Sequence, residues 1–141
     1  MNTNKFFTGG VVAGVLYFGL GYVVWGILLM DFMEKNAGTA TGVMKAEGEF
    51  IWWALIVGNL FSGFALSYVL NKAGSFTAGT GAVTGAFISL LISAGFDFTM
   101  LGVSNLWTTT GVLGDIGANI VVGAVVGGIT GLVLGMGKKA A

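Results

Sequence analysis

Residues 112–136 read VLGDIGANIVVGAVVGGITGLVLGM, and this run decides the fold. Its only charged residue is Asp115. As a helix the run is long enough to cross a hydrocarbon layer of ~30 Å. Asp115, Asn119, Gly123, Gly127, Gly131 and Gly135 recur at every fourth position. Four residues turn an α-helix by about 400°, so these positions form a stripe that winds slowly round it. In lipid no hydrophobic force draws helices together. Small residues instead let backbones approach until dispersion contacts form. The run therefore reads as a membrane span with one face built for close helix contact.

Three more apolar runs have the same character, at about 6–30, 50–70 and 78–101. Four spans of roughly 20–22 residues fit the 141-residue chain, and six do not. The chain is 55% hydrophobic and 9% charged, with a mean hydropathy of +0.92. A soluble domain carries about a quarter charged residues, so this chain lacks the charged surface that water requires. Transmembrane strands would alternate over about ten residues, whereas these runs are continuously apolar. The expectation is an all-α membrane protein of one domain, with four transmembrane helices in glycine-rich packing. The first run exceeds the 7–15 apolar residues, roughly, of a signal peptide and is read as a span.

The charges orient the spans. Lys5, Lys72, Lys138 and Lys139 fall on one side, and no acid accompanies them. Lys35 and Lys45 fall on the other, with Asp31, Glu34, Glu47 and Glu49. By the positive-inside rule both termini are cytoplasmic. Trp25, Trp52, Trp53 and Trp107 all lie towards the outer boundary in this frame, where amphipathic rings anchor a span. The six lysines and six acids leave no net basic field, so nucleic acid is not an expected partner.

The halves of the chain share short matches. Phe7-Thr8-Gly9-Gly10 corresponds to Phe76-Thr77-Ala78-Gly79, and Asp31-Phe32 to Asp97-Phe98. Asn59 and Gly63 correspond to Asn119 and Gly123. Both halves start on the same side, so the pattern predicts two parallel-repeated helical hairpins rather than an inverted repeat. The third span carries its own step-four stripe of Gly81, Gly85, Ser89, Ser93 and Asp97. The packing stripes are thus Gly81 and Gly85 on one helix and Gly123, Gly127, Gly131 and Gly135 on another. They serve packing within the bundle or between subunits.

Polar residues within the spans are the candidate site. At 1.5 Å per residue, Asn59 lies roughly 14 Å below the outer end of its span, and Asn119 and Asp97 roughly 6–10 Å in. Asp115 is expected to be shallower. Together, Asp97, Asn119, Asp115 and Asn59 suit one cavity opening outwards. An intramembrane acid is expensive and points to function. There is no Cys, His or Arg. That removes thiolate and imidazole chemistry and leaves carboxylates, lysines and hydroxyls, which the spacing does not gather on one face at usable depth. No enzyme activity, metal or cofactor is expected.

The runs GLGYVVWGILLMDF at 19–32, SAGFDFTMLG at 93–102 and GDIGANIVVGAVVGGITGLVLG at 114–135 resemble a group of small bacterial four-helix integral membrane proteins. That resemblance implies a helical bundle of the bacterial inner (cytoplasmic) membrane and no assigned activity. It transfers no site residues. The chain also resembles small multidrug transporters in size and span count, but lacks their carboxylate deep in the first span. Two functions follow as expectations. The first is a structural or accessory subunit, surrounded by membrane lipid and packed as a homo-oligomer or in a larger membrane complex. The second is a small oligomeric transporter or channel for a cation or small hydrophobic solute.

Overall fold

The computed structural model describes residues 2–136. Lys138 and Lys139, on which the charge count draws, lie outside the described residues. Among the described residues five α-helices follow one another: α1 Thr3–Val23, α2 Met30–Lys35, α3 Trp52–Ala73, α4 Ala78–Val103 and α5 Thr109–Gly135. A π-helical turn, Val24–Leu28, prolongs α1. Four helical segments are long and apolar enough to cross a membrane: Thr3–Leu28, α3, α4 and α5. Among the described residues there is no strand, only one isolated antiparallel bridge between Ala37 and Trp107.

Local chemistry explains where the helices stop, and it shifts the expected boundaries by a few residues. Asn2 caps α1 by accepting from the Lys5 N–H at 3.2 Å, so the helix starts before the apolar run does. The first span was expected to reach Met30, but Leu29 leaves the helical region at φ −105° and ψ 5°. Its N–H bonds to Val24 O at 2.7 Å, five residues back, which widens the last turn. The chain has no proline, so this break has another origin. Gly74 ends α3 with φ +67°, a left-handed conformation that glycine adopts without steric cost. Thr77 caps α4 in a reciprocal box with Thr80. Thr108 caps α5 by accepting from the Gly111 N–H, which starts this helix three residues before the expected position 112.

The helices pack as two extensive pairs, α1 with α3 and α4 with α5. Helix α1 also packs on α5, whereas α3 meets α4 and α5 only sparsely. The buried apolar core therefore sits where α1, α3 and α5 converge, around Ala13, Leu66, Leu70, Val122, Val126 and Leu134. The outer faces are bulky and apolar, with Phe61, Val83, Phe87, Ile92 and Phe96 all more than half exposed.

Between α4 and α5 the backbones come very close. A methyl group at Gly85 would lie 2.9 Å from Gly127 Cα and against Gly123 O. One at Gly81 would meet Gly127 O and lie 3.1 Å from Gly131 Cα. One at Gly123 would strike Ser89, and one at Gly135 would strike Phe76 O. Each step of four residues up α4 is thus a step of four down α5. In α1 and α3 the same closeness occurs at Gly10, Gly14 and Gly63.

Both ends are tied. At one, the Lys5 ammonium donates to Leu134 O at 2.5 Å and so satisfies a carbonyl at the end of α5. At the other, the long connection after α2 clasps the α4–α5 connection. Gly38 N–H donates to Leu106 O at 2.8 Å, and Thr108 N–H to Asn36 O at 3.0 Å.

Candidate functional site

The sparse contact between α3 and α4 leaves a cavity of about 830 Å³, which α1 and α5 close from behind. All four polar candidates line it: Asn59 from α3, Asp97 from α4, and Asp115 and Asn119 from α5. The six stripe glycines do not line it. They lie further along the α4–α5 seam, towards the end that Lys5 ties down.

The seam explains how the acids meet. The register that sets Gly85 against Gly127 sets Asp97 against Asp115, three steps of four further on. Asp115 was expected to be shallower than Asp97. Because Thr108 starts α5 early, Asp115 is six residues inside it, and Asp97 is six residues from the end of α4. Both lie at about 9 Å depth. Their carboxyl groups are close enough to share a hydrogen bond. The two acids, which the spacing within either helix does not gather on one face, thus meet in the cavity that the sequence led one to expect for them. Sequence spacing reports one helix face at a time, and the helix–helix register joins two faces.

The two acids have different surroundings. Asp115 is fully engaged. Its Oδ1 accepts from Trp25 Nε1 at 2.6 Å and its Oδ2 from Asn119 Nδ2 at 2.7 Å. Asp97 is only 6% exposed, yet its Oδ2 has no hydrogen-bond partner. Among the described residues the one other buried polar side-chain atom left unpartnered is Thr130 Oγ1. Neither a serine nor an asparagine supplies a partner to that Asp97 oxygen. Instead Ser93 donates to Ser89 O at 2.7 Å on its own helix, and Asn119 is spent on Asp115. Asn59 likewise donates to Leu55 O at 2.8 Å.

Aromatic residues complete the wall. Tyr17, Trp25 and Trp107 line the cavity, and the Tyr17 hydroxyl engages the Ser89 side chain. Trp25 and Trp107 carried only an interface signal in the sequence. Tyr17 carried none. Nothing local to these residues announces that the bundle turns them inward. Among the described residues no lysine lines the cavity. The two carboxyl groups thus face each other with no cationic side chain of the described residues in the lining. Among the described residues no third acid joins them.

Four apolar helices of spanning length are compatible with a multi-pass helical membrane protein. No family model matches it, and neither the curated proteins nor the solved structures contain a match.

Proposed function

We propose that the chain is a small membrane carrier whose cavity binds a monovalent cation at Asp97 and Asp115. The single observation behind this reading is the buried Asp97 carboxyl, whose Oδ2 has no partner, paired with the Asp115 carboxyl in a cavity that no described lysine lines. An uncompensated charge at that depth is costly, and a bound cation offsets it. The accessory-subunit reading draws on glycine faces free to dock on a partner. Within this chain the α4 and α5 glycines lie against each other, which leaves bulky apolar faces for lipid or a second copy. The glycine seam, the duplication of one ancestral hairpin and assembly as a homo-oligomer belong to the same proposal.

The full chain in lipid nanodiscs, titrated with tetramethylammonium chloride against sodium chloride, tests it. A ligand that binds only the folded state at a hundredfold its Kd stabilises by about 2.7 kcal/mol. Tetramethylammonium should therefore raise the melting temperature of the wild type and leave Asp97→Asn where it was. No shift in the wild type would end the carrier reading.

The proposal places the protein in a bacterial cytoplasmic membrane with both termini inside. Lys5 and Lys72 at one end support this, as do Lys35 and Lys45, accompanied by four acids, at the other. The chain has no native cysteine. A single cysteine at exposed Thr109 should react with an impermeant maleimide on whole cells, and one at exposed Ala73 should not. The reverse pattern would invert the topology.

A further inference from the structure

Five of the residues that line the acidic cavity are exposed, Ser62 and Ala65 on α3 and Leu91, Ile92 and Phe96 on α4. The other lining residues, those of α1, α5 and the α4–α5 connection among them, are buried or half-buried. A cavity reaches the surface where its lining is exposed, so the mouth of this one lies in the gap between α3 and α4. At the clasped end the lining includes Trp107, half-buried and held by its bridge to Ala37.

The depth of the mouth decides what it meets. Ser62 and Ala65 lie ten and thirteen residues from the first residue of α3, and Phe96 and Leu91 seven and twelve from the last residue of α4. At 1.5 Å per residue this is roughly 10–20 Å below the clasped helix ends. Helix α4 has 26 residues and is about 39 Å long, so it overhangs a ~30 Å hydrocarbon layer by only about 5 Å at each end. In a membrane the mouth therefore opens onto lipid chains rather than water.

Beyond the mouth, Leu66, Val69, Ile88 and Val122 line an apolar half of the cavity roughly 20–26 Å down, well below the two acids. The polar pair at that level, the Tyr17 hydroxyl and Ser89, is spent on itself. Water there finds few free partners, and an empty void forfeits the dispersion contacts of its walls. An alkyl chain restores them. The rim also discriminates between occupants. Its α3 side is small, at Ser62 and Ala65, and its α4 side is a ridge of Leu91, Ile92 and Phe96, each more than half exposed. Helices approach closely in lipid where both present small residues. A helix of a second copy meets that ridge, whereas a flexible chain passes beside it.

We infer that an acyl chain of a bilayer lipid enters between α3 and α4 and occupies the apolar half of the cavity. This goes beyond the cation reading, because the chain lies away from Asp97 and Asp115, and either can fail without the other.

A site-specific photo-cross-linker tests it. p-Benzoylphenylalanine is placed singly at Ile88, within the cavity, or at Phe87, which is exposed and outside the lining. The full chain is irradiated in nanodiscs of palmitoyl-oleoyl-phosphatidylcholine and its adducts are weighed by mass spectrometry. Both positions should carry the lipid adduct. Ala65→Trp narrows the mouth and should remove the adduct at position 88 while leaving that at 87, with melting curves confirming the fold. Ser62→Trp, on the same rim, repeats the test if the first variant unfolds. A cross-linked dimer from position 88 would mean that a second copy covers the mouth. Cross-links within the chain alone would mean that no lipid enters. A lipid adduct at 88 that survives both substitutions would place its route elsewhere. Each of these three results overturns the inference.

Discussion

Gly127→Leu is expected to separate α4 from α5 and to cost the bundle more than any other single change. A methyl group there would lie 2.9 Å from Gly85 Cα and against Gly81 O. Both are backbone atoms and cannot rotate aside. Ordinary overpacking costs about 1–3 kcal/mol because side chains shift to absorb it. Here two helix axes must move apart, so dispersion contacts along the whole seam weaken together. The same register carries Asp97 to Asp115, so cation binding should be lost with the packing. Gly117→Leu on the same helix is the control, since a methyl group there meets nothing within 4 Å. Leucine is also a better helix former than glycine by roughly 1 kcal/mol in water. Thermal melting in detergent should thus place Gly127→Leu well below wild type and Gly117→Leu at or above it. Equal melting of the two variants would mean that the α4–α5 approach does not hold the bundle together.

The second large effect separates the two acids. Asp115→Leu removes the acceptor of Trp25 Nε1 and one of the two acceptors of Asn119 Nδ2. Asn119 keeps its 3.0 Å bond to Asp115 O, so the indole N–H is the group left stranded. A buried donor without a partner costs about 1–3 kcal/mol. The expected loss for Asp115→Leu is therefore about 2 kcal/mol in equilibrium unfolding. Asp97→Leu should cost less, because it strands no donor: Asp97 Oδ2 has no partner, and the side chain's contact is with the Asp115 carboxyl, which keeps Trp25 and Asn119. Both substitutions should abolish tetramethylammonium binding. If Asp97→Leu proves the more damaging to stability, then Asp97 supports the fold and Asp115 does not, contrary to the hydrogen bonds.

The contrast between these acids shows how far residue order reaches. Helix number and type were legible because each apolar run is long enough to span a membrane, and a helix satisfies its own backbone within that run. Boundaries were legible only to a few residues. Thr108 and Asn2 act through a single capping hydrogen bond each, which hydropathy does not register. The stripes on α4 and α5 were legible as well, since a spacing of four is a property of one helix. That these two stripes face each other was not, because the choice of partner depends on how closely two backbones can approach. Once Gly85 met Gly127, Asp97 had to meet Asp115, so two acids expected in one cavity became a facing pair. The inward turn of Trp25 and the gap between α3 and α4 were decided in the same way. Local composition supplied the helices and their small faces. Only the tertiary arrangement determined which polar atoms found partners and which, like Asp97 Oδ2, did not, because hydrogen bonding in lipid depends on a neighbour that no stretch of one helix contains.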